Sequence, residues 1–233
     1  MFLPLKDSNP LKVIPFQAVT VAIIALCVGA FLWQTTLPEQ AEIEAVLSYG
    51  LIPAVLFDYR DLPPELAAIP AEAAIFTSMF LHADWLHLLG NMLYLWVFGD
   101  NIEDSMGHVR FVAFYLLCGL AAVLAHGLMD PTSTTPLIGA SGAVSGVLGA
   151  YLLLHPKVRV IALVLYRVPL PLPAYIVLGG WIGLQLFNVW VDGGATQGGG
   201  TAWWAHIGGF AAGILLIIPM RRKDLPLFDR GRG

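Results

Sequence analysis

Pro136-Leu-Ile-Gly-Ala-Ser-Gly-Ala-Val-Ser-Gly-Val-Leu-Gly-Ala-Tyr151 is the stretch on which the reading of this chain turns. A polar loop, Asp130 to Thr135, feeds it, and an apolar helical pattern follows. Ser141 therefore falls where loop becomes helix. Gly142, Gly146 and Gly149 recur along one stripe of that helix, and Ala205, Gly209 and Gly213 do the same near the end of the chain. Such small-xxx-small spacing lets helix backbones approach closely in a membrane. Taken alone, these glycines imply packing and no chemistry.

Working outward, the composition excludes an ordinary soluble domain. The 233 residues are 58% hydrophobic and 12% charged, with a mean hydropathy of +0.75. A typical globular chain is about 25% charged. Apolar runs cover Val13 to Trp33, Asp84 to Gly99, Phe111 to Met129, Ser141 to Leu154, Ala174 to Val191 and Thr201 to Met220. Several approach the roughly 20 residues that cross a bilayer as a helix. The expectation is an all-α membrane protein of six transmembrane helices. Residues 1–12 form a short cytoplasmic N-terminus, 13–220 the membrane domain and 221–233 a cytoplasmic tail. Residues 34–83 form a long outer loop whose apolar parts, Pro53 to Phe57 and Leu66 to Phe80, read as short segments lying in the interface.

Six helices put both termini on one side. Of the 12 Lys and Arg, only Arg60 lies in a loop on the other side, whereas 10 of the 16 acidic residues lie there or at its helix junctions. The positive-inside rule then makes the termini cytoplasmic. Cys27 and Cys118 lie inside apolar runs and read as small packing residues. There is no zinc-ligand spacing and no H-E-x-x-H. The expected partners are the lipid bilayer and transmembrane protein substrates, with no nucleic acid, metal or cofactor.

In this topology the second, fourth and sixth helices run the same way, and each carries its polar residues near its start. His87 and Asn91 share a face at i and i+4. Ser141 opens the fourth helix, and His206 lies five residues after Thr201, roughly 7–8 Å into the sixth. Four polar residues thus come to a similar depth. Singly, His87 reads as well as a structural histidine, and Asn91 as a helix–helix hydrogen bond. Polar groups in a membrane are costly and usually face an interior or a water-filled cavity.

Three motifs then give a resemblance. Phe76-Thr-Ser-Met-Phe-Leu-His82-x4-His87-x3-Asn91, continuing to Phe98-Gly99 and Glu103, is similar to the second-helix motif of the rhomboid family of intramembrane serine proteases. Gly139-Ala-Ser141-Gly142 resembles its nucleophile motif, and Ala205-His206-Ile-Gly-Gly209 its base motif. The resemblance implies a Ser141–His206 dyad, with an oxyanion hole from the Ser141 N–H, the Asn91 amide and the His87 ring. It implies cleavage of transmembrane segments near the outer face, and a lid at Gly193 to Gly200. His82 and Glu103 read as structural, with Glu103 satisfying backbone in the turn after the second helix. One departure is Ser145, where some members carry an aromatic residue that stacks on the histidine. Ser145 is also a rival nucleophile, one turn below Ser141. Ser141 is preferred because it sits nearer water, and a deep serine is commonly satisfied by the carbonyl one turn back. The competing readings are a catalytically silent relative that binds membrane proteins, a channel or small transporter, and a metalloprotease. The absence of an organelle transit pattern leads to a bacterial plasma membrane as the expected location.

Overall fold

The computed structural model describes residues 2–164, 167–192 and 202–228. Strand β1 (Phe2–Asp7) precedes α1 (Ala18–Thr36), α2 (Glu39–Tyr49), α3 (Pro53–Leu56) and α4 (Ala71–Thr77). A short 3-10 turn, Ser78–Phe80, leads to α5 (Trp85–Met106), α6 (His108–Met129) and α7 (Ser141–Leu154). Strands β2 (Arg159–Val164) and β3 (Val168–Pro173) precede α8 (Ala174–Val191) and α9 (Trp203–Met220). The proposed lid, Gly193 to Gly200, lies outside the described residues.

Four helices, α1, α6, α8 and α9, are long and apolar enough to cross a membrane. The other two expected spans differ for physical reasons. Helix α5 has 22 residues, but Asp100, Glu103 and Asp104 sit in its last two turns. Helix α7 has 14 residues, about 21 Å of rise against a hydrocarbon core of about 30 Å. Its neighbours enclose it, and all its residues from Gly142 to Tyr151 are buried.

The chain is mostly helical but not all-α, which corrects the expected class. The three strands form an antiparallel sheet in the order β1-β2-β3. Residues 2–7 are therefore part of the fold, not a loose tail. Pro169, Pro171 and Pro173 alternate along β3, opposite Leu163, Ile161 and Arg159. Alternation puts every missing N–H on one edge. Because β3 still pairs with β2, that edge is the outer one, which is left poor in donors for a further strand. The C-terminal segment also packs back on the bundle, with Arg222 N–H donating to Ser105 O (2.9 Å) and Phe228 N–H to Leu153 O (3.0 Å).

The expected loop after the second run shrinks to one residue, Gly107, at φ +83°. Helix continues to Met106 because the acidic residues have inward work. Glu103 is fully buried. It accepts hydrogen bonds from Val19 N–H (2.9 Å), Thr20 N–H (2.8 Å) and the Thr20 hydroxyl (2.7 Å), and pairs with His108 Nδ1 at 2.5 Å. Asp104 accepts from the N–H groups of Lys12, Val13 and Ile14 at 2.7–2.9 Å. Glu103 thus satisfies otherwise orphaned amides in the first turn of α1, and Asp104 satisfies those of the segment that leads into it. Glu103 is structural as expected, but it caps α1 rather than its own turn. Replacing Glu103 by alanine leaves three donors unsatisfied, each worth about 1–3 kcal/mol when buried. The expected result is a loss of about 3 kcal/mol or more, read by thermal unfolding in micelles. Glu103→Gln, which keeps one acceptor oxygen, loses less. Unchanged stability in the alanine variant would dismiss the capping role.

Close contacts fix the helix directions. A Cβ at Gly142 would meet Ala122 Cβ at 2.5 Å, and one at Gly146 would meet Cys118 Cβ at 2.5 Å, so α6 and α7 are antiparallel. On the other side of α7, Gly209 lies against the Gly142 carbonyl and Gly213 against the Gly146 carbonyl, so α7 and α9 are parallel. Helix α5 runs with them: His87 lies against Gly139, and farther along Phe98 packs on Tyr151 at 4.8 Å between ring centroids. The polar starts of α5, α7 and α9 consequently lie at the same end of the bundle.

The long connection from α1 to α5 closes over that end. Leu51 and Leu137 exchange backbone hydrogen bonds (3.0 and 2.7 Å), and Ala54 N–H donates to Ser133 O (2.9 Å). Leu51, Ala74 and Ile75 bury their side chains with Val123 of α6. Short helices occur here as expected, at α3 and α4. Helix α2 was missed because Glu39, Glu42 and Glu44 read as loop.

Candidate active site

Gly139 sets the approach to Ser141. Its φ is +114°, a conformation that L side chains rarely adopt, and its N–H donates to Ser78 O at 2.8 Å. A Cβ there would stand 2.6 Å from both Cε1 and Nε2 of His87 and 3.7 Å from Asn91 Nδ2. The backbone before the serine is thus pressed against the two polar side chains of α5. Ser141 is the first residue of α7, and the N-cap residue Ala140 offers no side-chain cap. The N-terminal N–H groups and the helix dipole leave partial positive charge there.

Asp84 caps α5, its carboxylate accepting from His87 N–H at 2.8 Å. Ala83 N–H donates to His87 Nδ1 at 3.4 Å, which puts the ring proton on Nε2, on the edge of the ring that faces Gly139. Asn91 is buried, and its Nδ2 finds no acceptor among the described residues. An unpaired buried donor costs about 1–3 kcal/mol, so it suits a site where an acceptor arrives during reaction.

His206 sits three residues into α9, on its first turn, because the helix begins at Trp203 and not at Thr201. Its depth is about 4.5 Å below the helix start, shallower than the 7–8 Å expected. Gly142 faces Ala205 across the α7–α9 seam, with 3.9 Å from a Cβ on Gly142 to the Ala205 carbonyl oxygen. Ser141 and His206 are the immediate chain neighbours of this pair. His206 is buried, and its Nδ1 contacts Gln185 Oε1 of α8 at 2.8 Å. The Trp181 ring lies tilted against it at 5.6 Å and the Trp203 ring meets it edge-on at 6.2 Å. These residues answer the departure at Ser145: the histidine is oriented from α8 and α9, not from α7. Sequence reasoning missed Gln185, although a lone glutamine in an apolar helix, four residues after Trp181, was the available signal.

Ser145 is fully buried, and its hydroxyl donates to the Ser141 carbonyl oxygen at 2.6 Å. Ser141 is half-buried and more accessible. His82 is structural, as expected. Gln34 brackets it, donating to its carbonyl and accepting from its N–H, each at 3.1 Å, while its Nδ1 meets Phe80 O at 3.1 Å.

The comparison with family models matches residues 72–223 to the rhomboid domain. The chain belongs to the rhomboid family. It is an integral membrane protein. Rhomboid protein 1, mitochondrial, of Saccharomyces cerevisiae is 31% identical to it over 153 residues, covering 63% of this chain and 41% of that one. RHOMBOID-like protein 5 of Arabidopsis thaliana is 37% identical over 78 residues, 34% of this chain and 25% of the relative. Rhomboid protease GluP of Bacillus subtilis is 38% identical over 78 residues, 34% of this chain and 15% of the relative. The matched part spans less than half the length of each of these curated relatives. This rhomboid's match includes Ser141, His206, His87 and Asn91, the residues that converge at the start of α5, α7 and α9.

His82 also bears on pH. Burial first, and the neighbouring His87 second, hold its pKa down at about 4, against an ordinary 6.5, despite the contact with Phe80 O. It is neutral in the fold and charges more readily when unfolded. The unfolded state therefore binds more protons between these values, and stability present above pH 6.5 is lost as pH falls toward 4. From pH 7 to pH 5 the loss is about 2 kcal/mol. Thermal unfolding at the two pH values checks this. His82→Gln should reduce the dependence by the His82 share, and an equal slope in both proteins would contradict it.

Proposed function

We propose that this rhomboid is an intramembrane serine endopeptidase that hydrolyses peptide bonds in or near transmembrane segments of membrane-protein substrates. The observation that carries this reading is the α7–α9 seam, which sets Ser141 and His206 on adjoining first turns, with a buried Asn91 whose Nδ2 finds no acceptor among the described residues. His206 takes the Ser141 proton as the hydroxyl oxygen attacks the scissile carbonyl carbon. The tetrahedral oxyanion accepts hydrogen bonds from the Ser141 N–H, Asn91 Nδ2 and His87 Nε2–H. His206 then gives its proton to the departing amine. Water attacks the acyl-enzyme with the same base, regenerating Ser141. The resemblance and the family match support this assignment, as does the protease named among the relatives.

The six-span topology with both termini cytoplasmic belongs to the same proposal. Helices α5 and α7 complete the six, with α7 enclosed by its neighbours. Substrate segments would be cut where an extended backbone reaches the polar end of the bundle. The relatives' names, mitochondrial and chloroplastic as well as bacterial, do not favour the bacterial plasma membrane expected from the sequence. The test is cleavage of a reconstituted single-span substrate, with the fragments located by mass spectrometry. Cuts near the outer interface are expected. Cuts confined to soluble loops on the cytoplasmic side would reject the reading.

A further inference from the structure

Gln185 is the buried polar side chain of a mostly apolar helix. It is 3% exposed, on α8, with Trp181 one turn before it. A buried amide is costly unless hydrogen-bonded, and both ends of this one are bonded. Its Nε2 donates to the Trp181 carbonyl oxygen at 3.1 Å, and its Oε1 lies 2.8 Å from His206 Nδ1. The order of these two contacts is informative. A backbone carbonyl only accepts, so the NH2 group must face Trp181 and the amide oxygen must face the imidazole. That oxygen also only accepts. The His206 proton must therefore reside on Nδ1, and the lone pair on Nε2.

We propose that Gln185 is a positioning residue that holds His206 in the Nδ1–H tautomer, with Trp181 supplying both the carbonyl that orients the amide and the ring that packs against the imidazole. The proposal rests on the reading of His206 as the base of the Ser141 dyad. A base must present a lone pair to the serine hydroxyl. With the proton on Nε2 it cannot, whatever its position. After proton transfer, the same amide oxygen faces the Nδ1–H of an imidazolium. A glutamine does this without a buried negative charge, which would be expensive in a membrane. It also explains how Ser145 can replace an aromatic residue on α7: the ring is held from α8, and Trp181 in turn stacks on Phe210 at 6.2 Å.

The test has one readout that needs no turnover. In micelles, two-bond proton–nitrogen correlation of protein labelled at its six histidines distinguishes Nδ1–H from Nε2–H rings, and His206→Ala identifies the signal. The expected result is Nδ1–H in wild type and a shift toward Nε2–H in Gln185→Leu. An unchanged tautomer in Gln185→Leu, or an Nε2–H ring in wild type, overturns the proposal. In the cleavage assay, Gln185→Leu is expected to lose about 10²-fold or more in kcat with little change in KM. Gln185→Glu should retain cleavage, with the acid limb of its kcat–pH profile moved to higher pH, because a carboxylate favours the imidazolium. A wild-type kcat in Gln185→Leu, or an unmoved limb in Gln185→Glu, overturns the proposal. If Gln185→Leu does not fold, the limb in Gln185→Glu decides. A wild type that cuts nothing would count against the protease reading alone, because the tautomer measurement still decides the role of Gln185.

Discussion

Ser141→Ala is expected to abolish cleavage, by at least about 10⁴-fold, while Ser145→Ala keeps a rate within about tenfold of wild type. The two hydroxyls are one helical turn apart, and their surroundings separate them. The Ser145 hydroxyl is fully buried, and its proton is already given to the Ser141 carbonyl oxygen. To attack a substrate it would have to break that bond and reach past Ser141. Ser141 opens α7, half-buried, with uncapped N–H groups beside it and His206 on the adjoining turn. Steady-state cleavage of the reconstituted substrate by the three proteins decides. Full activity in Ser141→Ala would sink the dyad, and loss confined to Ser145→Ala would move the nucleophile one turn down. If instead the wild type cut no transmembrane segment while capturing one tightly, the silent scaffold reading would replace the protease.

Gly213→Ala and Gly209→Ala are expected to be the most damaging of the conservative changes. The added methyl would fall on the Gly146 carbonyl oxygen in the first case and on the Gly142 carbonyl oxygen in the second. Backbone atoms on both sides leave no flexible side chain to yield, so α9 must move away from α7. Overpacking of this kind costs about 1–3 kcal/mol or more. Activity should fall further than stability, because a misplacement of about 1 Å can cost roughly 10²-fold in rate. Gly183→Ala on α8 is the control, since nothing lies within 4 Å of a Cβ there. It should be neutral or slightly stabilising, because alanine favours helix more than glycine does. Unfolding in micelles and cleavage rates measured side by side test the contrast. Equal behaviour of Gly213→Ala and Gly183→Ala would show that the seam tolerates separation.

Local pattern carried the reading furthest where boundaries are punctuated. Helices α7 and α8 run Ser141–Leu154 and Ala174–Val191, as the apolar runs and the flanking Ser141, Pro173 and Asp192 indicate. The polar residues of α5, α7 and α9 could be set at similar depth because that follows from helix rise and direction alone. Failures came where a residue's partner is distant in sequence. Asp100, Glu103 and Asp104 read as a loop because acidic residues usually mark solvent, and nothing local says that two of them serve amides some 80–90 residues earlier. The sheet was missed because its strands are short and β1 pairs with a strand more than 150 residues away. Gln185 escaped because its partner His206 lies 21 residues away on another helix, and a neutral amide, cheaper to desolvate than a carboxylate, carries no charge to mark it.

The cap on α1 reverses the usual relation between order of synthesis and order of completion. Val13, Ile14, Val19 and Thr20 emerge from the ribosome long before Glu103 and Asp104, yet their amides depend on those two carboxylates. Until α5 has been made and has packed beside α1, those amides must borrow water or lipid headgroups for their bonds. Helix α1 is therefore made early and anchored late. Any interruption of translation between residues 36 and 103 releases a chain in which α1 has its length and apolarity but not its footing.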